Sequence, residues 1–248
     1  MEIVDTHAHL NFSNFDRDRG DLIKETLNSG VWMINVGVNY ELSGKAIKIA
    51  ERYREGVYAS VGLHPIYSEE GFSFDSYKNL IKSEKVVAIG EIGLDYKSEY
   101  MGFKKQQREV FLDQLSLAGE VNLPIIFHCR FAHKDLTEIL SKKDSLKGVI
   151  HCFAGDWKEA KRYLDMGFYI GFNGVVFKLD LEEVIRKVPL DRVLLETDCP
   201  YLTPPQESGR NEPLYIEYII EKIAQVKGIS YKEVAHKTTT NAKNLFNL

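Results

Sequence analysis

The segment IVDTHAHL, residues 3–10, sets Asp5, His7 and His9 at alternate positions. A β-strand repeats every two residues, so these three polar side chains would share one face. Carboxylate and imidazole groups crowded on a buried strand need a partner, and a divalent cation satisfies them together. Similar residues recur at the ends of short apolar runs. His64 closes SVGLH, Glu91 closes VVAIGE, His128 closes PIIFH, His151 closes GVIH and Asp198 closes LLETD. Five of the seven histidines stand at such ends; His133 and His236 fall in helical patterns and read as surface or hydrogen-bonded residues.

This set exceeds the three or four protein ligands of one catalytic zinc. It suits two cations sharing a carboxylate, with Glu91 as the bridge because each of its oxygens can bind one ion. Spacing leaves His64 open as a further ligand. Asp5, one pair deeper, and Glu196, two before Asp198, read as groups that orient ligands, and Asp95 suits that role or a turn cap. Cys129, Cys152 and Cys199 each directly follow a candidate ligand. Strand alternation should turn them outward as small apolar groups, and the absence of Cys-x-x-Cys pairs argues against a thiolate zinc site.

The elements that must position these residues alternate along the chain. EIVDTHAH, VWMINVGV, GVYASVGLH, KVVAIGEIGL, LPIIFHC, KGVIHCF, GFYIGFNG and DRVLLETDC predict eight buried parallel strands. Between them, KKQQREVFLDQLSLAGEVN puts Phe111, Leu115 and Ala118 on one stripe before Pro124. NEPLYIEYIIEKIAQVKG carries Ile216, Ile220 and Ile223 and stops at Gly228, and SYKEVAHKTTTNAKNLF opens with Ser230 and Glu233 at capping-box spacing. A short, weakly periodic helix is expected near residues 180–187. Eight β/α units predict an α/β fold of the (β/α)8 TIM-barrel type, one domain over residues 1–248. An open doubly wound sheet should carry a glycine fingerprint after its first strand, and DTHAHLNFSNF has none. Barrel active sites lie at the C-terminal ends of the strands, where six of the eight runs deliver the residues above.

Bulk properties narrow the function. The 248 residues suit one barrel, and 44% hydrophobic with 27% charged residues is ordinary globular composition. A net charge of −4 excludes a global basic field, so a polyanion would need local basic residues or a metal. No apolar run approaches a membrane span, no signal peptide precedes the first strand, and three scattered cysteines suit a reducing compartment. The expectation is a cytoplasmic protein with no membrane association and no obligate protein partner.

DTHAHL, GLHP, AIGEIGLDY, HCRFAH, GVIHCFAG, GFYIGFNG, LLETDCPYL, GRNEP and TTTNAKNLF together resemble the TatD family of metal-dependent deoxyribonucleases, a branch of the amidohydrolase-like metal-dependent hydrolases. The resemblance runs from residue 3 to the C-terminus. It implies a (β/α)8 fold, divalent metals and hydrolysis of phosphodiesters in DNA. It also implies His7, His9, Glu91, His128, His151 and Asp198 as metal ligands and places His64 beside the substrate phosphate. Two rim segments depart from the family pattern: TPPQESGRNEP, with Glu207 and Ser208 where positive charge is more common, and GFNGVVFK. Both bear on substrate preference.

The chemistry that follows is hydrolysis by two divalent ions (Mg, Mn or Zn) about 3.5–4 Å apart that lower the pKa of a water. Asp198 would act as general base, with His64 and Arg130 neutralising charge on the phosphoryl oxygens. Arg130 follows His128 at i+2 and should face the lumen. Arg210, Asn211 and Tyr96 are further candidate substrate contacts. Tyr96, Phe131, Phe153 and Tyr201 offer rings for unpaired bases, although Phe153 reads better as packing. The expected substrate is DNA, as single strands or ends. The alternatives are a small-molecule amidohydrolase or esterase, a tRNA-editing deacylase on the same centre, and a non-catalytic metal-stabilised nucleic-acid-binding barrel. VVAIGEIG lacks the lysine that bridges metals in many related amidohydrolases. Six ligands shared by two ions also leave positions for water, unlike a closed structural zinc site.

Overall fold

Runs of Val, Ile and Leu too short for helices form the inner ring. In the computed structural model, which describes residues 2–143 and 145–248, these are β1 (Ile3–Ala8), β2 (Val31–Val36), β3 (Val57–Val61), β4 (Val86–Asp95), β5 (Ile125–Arg130), β6 (Gly148–Ile150), β7 (Tyr169–Phe172) and β8 (Val193–Leu195). They pair in chain order, every pair parallel. Parallel neighbours need a crossover, which the intervening helices supply: α1 (Arg19–Asn28), α2 (Tyr40–Ala50), α3 (Phe74–Leu80), α4 (Lys104–Val121), α5 (His133–Leu140), α6 (Trp157–Asp165), α7 (Glu182–Lys187), α8 (Ile216–Lys227) and α9 (Tyr231–Phe246). The expected (β/α)8 barrel is the observed fold, as a single domain.

The amphipathic stripes bury as their spacing requires. Phe111, Leu115 and Ala118 of α4 and Ile216, Ile220 and Ile223 of α8 all lie in the main core between helices and strands. Asn122 ends α4 in the left-handed region, two residues before Pro124. α8 starts at Ile216 rather than Asn211, because Pro213–Tyr215 forms a separate tight turn. A second core cluster joins Val4, Ile34, Ile126, Val149 and Leu194 from the strands with Ala242, Leu245 and Phe246 of α9. Asn241 of α9 donates to the Leu190 and Val193 carbonyls at the start of β8, and Thr239 to Glu2 beside β1. The last helix therefore plugs the N-terminal end of the ring, opposite the candidate ligands. No helix among the described residues is long and apolar enough to cross a membrane.

The ring closes between β8 and β1 through few backbone contacts. An isolated bridge joins Ala8 to Cys199, the His9 N–H donates to the Cys199 carbonyl at 2.8 Å, and the Asp198 N–H donates to the His7 carbonyl at 2.8 Å. Side chains complete the seam: Thr6 Oγ1 donates to the Leu195 carbonyl, and the Asp5 carboxylate accepts from both the backbone N–H and the hydroxyl of Thr197.

Two register slips fall beside the candidate ligands. Asp5 faces Met33 and Ala8 faces Asn35, so three steps of β1 oppose two of β2. On β4, Ile89 faces Ile125 and Ile92 faces Phe127, another extra residue around Gly90 and Glu91. Such bulges flip the side-chain alternation. The first separates Asp5 from the face of His7 and His9, which corrects the expectation of three polar groups on one face. Asp5 fastens the seam and accepts the His7 N–H at 3.1 Å, so it holds that residue's backbone and not its ring, and burial pushes its carboxyl up to about 7.

Candidate metal centre

Three imidazoles at the C-terminal mouth, His9, His128 and His151, are aimed by the atom that the other nitrogen faces, whereas the buried His7 Nδ1 has no partner among the described residues. His9 turns Nδ1 to the Val36 carbonyl at 3.1 Å, so that nitrogen carries the proton and Nε2 offers a lone pair. His151 donates from Nδ1 to Glu196 Oε2 at 2.8 Å, again freeing Nε2. His128 is reversed: Nε2 faces Asp95 Oδ2 at 3.1 Å and Nδ1 points at Glu91 Oε1, 2.6 Å away. His7 lies stacked on His151 with ring centroids 3.5 Å apart, and its Nε2 is 3.1 Å from His9 Nε2.

His64 differs from these four. Its Nδ1 accepts the Ile66 N–H at 3.2 Å, so in the neutral ring the proton sits on Nε2, which faces Glu91 Oε1 at 3.4 Å. An imidazole in that tautomer has no lone pair left for a cation and is a hydrogen-bond donor. Proximity alone groups His64 with Glu91 and His128 as possible metal donors, as it groups His7 with His9 and Glu91, and with His151 and Asp198. The tautomer argues against the first grouping and leaves the other two. Burial and the neighbouring His128 hold His64 down to about 4, so it is a neutral donor across the physiological range.

The carboxylates join these sets. Glu91 presents Oε1 to His128, His64 and His151, and Oε2 to His7 at 3.4 Å. Asp198 Oδ1 lies 3.4 Å from His9 Nε2, 3.8 Å from His7 Nε2 and 4.0 Å from His151 Nε2. Burial opposes ionisation of both acids, but the surrounding imidazoles outweigh it and hold both below the usual carboxylate range. Burial also opposes a charge on His151, yet Glu196 and Glu91 drive it up to about 10; a cation bound at Nε2 would take the place of that second proton. Such ionisation states belong to groups that pair with an opposite charge at short range.

The donor chemistry fits divalent cations. Two imidazole nitrogens 3.1 Å apart aim at one region with an Asp198 oxygen beside both. Asp5, Glu91, Asp95 and Glu196 are buried around them. A cluster so rich in buried carboxylate is costly without a compensating cation. His7, His9 and Asp198 lie together on one side of Glu91 and His128 on the other, with His151 reaching toward both.

His9, Glu91, His128, His151 and Asp198 line a cleft of about 960 Å³, with His7 buried behind them, and its wall also includes Phe12, Tyr67, Arg130, Phe131, Lys134, Leu179 and Tyr201. Arg130 stands at this wall half-exposed, its Nη1 3.6 Å from Asp95 Oδ2. Three sequence expectations do not reach the cleft. Arg210 is spent on Asp18, Glu212 and the Asn14 carbonyl, with its guanidinium over the Phe15 ring. Asn211 is buried and donates to the Thr197 and Tyr201 carbonyls. Tyr96 donates to Asp135 at 2.9 Å with Lys104 over its ring. Charge partners and carbonyls occupy their polar groups, which are not directed into the cleft.

The cysteines also depart from simple alternation. Cys199 is buried, but Cys152 takes a positive φ of 46° just past β6 and lines the cleft. Cys129 packs inside α5 and α6, 3.2 Å from His133 Nδ1. Asp95 fills both roles foreseen for it: Oδ2 aims His128 and Oδ1 accepts the Lys97 N–H. Two residues escaped the sequence reading. Gln114 exchanges two hydrogen bonds with the backbone of Leu63, beside His64, and Gln107 does the same for Asp95. Their signal was present: both lie on the α4 stripe of Phe111, where a polar residue needs a reason.

Comparison with known proteins gives a consistent result. The family model described as TatD related DNase matches residues 4–247. The chain is 41% identical to the uncharacterized metal-dependent hydrolase YabD of Bacillus subtilis, with 99% of each covered. It is 36% identical to the 3'-5' ssDNA/RNA exonuclease TatD of Salmonella typhimurium, with 98% of each covered. Among solved structures, YJJV, a TatD homolog from Escherichia coli, superposes with a TM-score of 0.91 at 29% identity, covering 99% of this chain and 98% of its own.

Proposed function

The chain belongs to the TatD-related DNase family and is thus a metal-dependent hydrolase of phosphodiester bonds; from that premise we propose that it removes nucleotides from the ends of single-stranded DNA, using two divalent cations. The proposed ligands are His7, His9, Glu91, His128, His151 and Asp198. One observation carries this reading: the two Glu91 oxygens face different imidazoles, Oε1 toward His128 and Oε2 toward His7. The name of the Salmonella relative, a 3'-5' exonuclease, supports attack at 3' ends.

Cations at such a centre supply Lewis acidity, which makes water a nucleophile near neutral pH and offsets phosphoryl charge. The protein's own groups do the rest. Asp198, ionised and held by three imidazoles, accepts the proton of the attacking water. His64 donates its Nε2 proton in a hydrogen bond to a phosphoryl oxygen, a task its tautomer suits. Arg130, anchored near Asp95 at the wall, neutralises charge that grows on the same oxygens. The Asp95, Glu196 and Val36 acceptors fix the rings before substrate arrives, so no rotation is needed in the transition state.

The test is hydrolysis of an end-labelled single-stranded oligonucleotide by manganese-loaded protein, beside a panel of small esters and amides. Chelation should abolish cleavage and added manganese restore it. Asp198→Asn should lose about 100- to 10,000-fold in turnover with an unchanged circular dichroism spectrum. Cleavage that survives chelation, or activity confined to the small esters and amides, would overturn the proposal.

A further inference from the structure

A single exposed apolar side chain is ordinary, but a group of them at one place marks a binding surface, and here most gather at one mouth. Five are exposed among the described residues, and three of these border the metal cleft: Phe131, Tyr201 and Leu179, exposed by 78%, 55% and 46%. Backbone strain gathers there too. Of the seven non-glycine residues with positive φ among the described residues, Phe131, Cys152, Asp198 and Leu202 line this cleft. Phe131 is the hardest to explain by folding alone. Its φ of 54° suits glycine or asparagine, and its ring is not in the core. A bulky ring kept outside on a strained backbone points to a binding role.

The two aromatic rings stand at different sides of the mouth. Phe131 directly follows β5, three residues beyond His128, with Arg130 and Lys134 beside it on the cleft wall. Tyr201 follows β8, three strands further around the eight-stranded ring. It is pre-set: its N–H donates to the Asp198 carbonyl at 3.0 Å, and Asn211 Nδ2 donates to its own carbonyl at 2.6 Å. Its ring meets Phe12 edge-on with centroids 6.2 Å apart, and Phe12 stacks on His9 at 4.5 Å. The ring is therefore tied to the segments that carry Asp198 and His9.

The geometry points to two base-stacking subsites on either side of the metal centre, Phe131 on the β5 side and Tyr201 on the β8 side, that take unpaired bases flanking the scissile phosphate of a single strand. This deepens the phosphodiesterase reading and rests on it. Stacking accepts any base but requires an exposed base face, which a duplex does not offer. Arg130 and Lys134 supply the cationic wall for the backbone that the net charge of −4 does not. The arrangement thus selects strand state without reading sequence.

The experiment uses manganese-loaded protein and single strands bearing 2-aminopurine or an abasic tetrahydrofuran near the 3' end. Binding by manganese-loaded Asp198→Asn, which leaves the strand uncut, should quench 2-aminopurine fluorescence, and adding Phe131→Asn or Tyr201→Ala to it should restore the signal. Phe131→Asn retains a residue that tolerates the left-handed backbone, so its effect reports the ring. Each variant should lower kcat/KM on base-bearing strands by about 10- to 100-fold. An abasic site should impose a similar loss on the wild type and no further loss on the matching variant. If strands bind without quenching, or wild type cleaves abasic and base-bearing strands alike, the subsites are overturned. Bis(p-nitrophenyl) phosphate separates this failure from that of the underlying reading. Its hydrolysis by a wild type indifferent to bases leaves the phosphodiesterase standing, whereas loss of both that hydrolysis and strand cleavage sinks the phosphodiesterase and the subsites together.

Discussion

Glu196 illustrates how much of the centre depends on groups outside the proposed ligand set. Oε2 accepts both the His151 Nδ1–H and the Cys152 N–H, which fixes where His151 Nε2 points. Gly171 leaves the space this requires, since a Cβ there would sit 2.1 Å from Glu196 Oε1. Glu196→Gln keeps the shape and removes the charge that raises ligand basicity. Calorimetric titration with manganese should then show affinity about 10- to 100-fold weaker, with the fold intact; equal affinity would remove Glu196 from the account. Such residues are legible in a sequence only by type and strand position. Whether an imidazole binds a cation or donates a hydrogen bond is decided by atoms elsewhere in the chain. The Val36 carbonyl frees His9 Nε2, while the Ile66 N–H leaves the proton on His64 Nε2. His7, His9, His64, His128 and His151 look alike in one dimension for this reason.

Secondary-structure elements carry the next layer of control, at the ends of β3 and β4. Helix α4 reaches these ends through Gln114 and Gln107, each making paired bonds to strand backbone. Gln114→Met would leave the buried Leu63 N–H and carbonyl without partners. The expected cost is about 2–6 kcal/mol, from about 1–3 for each of the two lost partners, read by urea denaturation. A loss below about 1 kcal/mol would mean that water replaces the clamp. The amphipathic stripes of α4, α8 and α9 were readable because their burial follows a fixed period. The bulges in β1 and β4 were not, because a register slip exists only between two strands. That is why Asp5 was placed with His7 and His9 although it serves Thr197. Arg210, Asn211 and Tyr96 stand outside the cleft, which was not readable for a related reason: sequence shows a polar group but not the partner that already occupies it.

On the scale of the whole molecule, eight alternating units point to a parallel sheet covered by helices on both faces, and the lack of a glycine fingerprint after the first strand separates the closed ring from an open doubly wound sheet. The same closure brings the candidate ligands together, so cation binding and folding are linked. A cation that binds only the folded state at 100 times its Kd adds about 2.7 kcal/mol to stability. For a domain of this size that raises the melting temperature by about 5–10 °C. Scanning calorimetry with manganese and with chelator should show that gap, and coincident transitions would mean the folded protein does not take up the ion. The seam between β8 and β1 adds a constraint in time. Ala8 meets Cys199, and His7 and His9 wait for Asp198, which lies almost the whole chain away. A nascent polypeptide emerging from the ribosome therefore exposes its first histidines long before their last partner is made. The proposed ligand set is thus complete only once β8 has been made, so full cation binding follows the closing of the ring and does not guide its first strands.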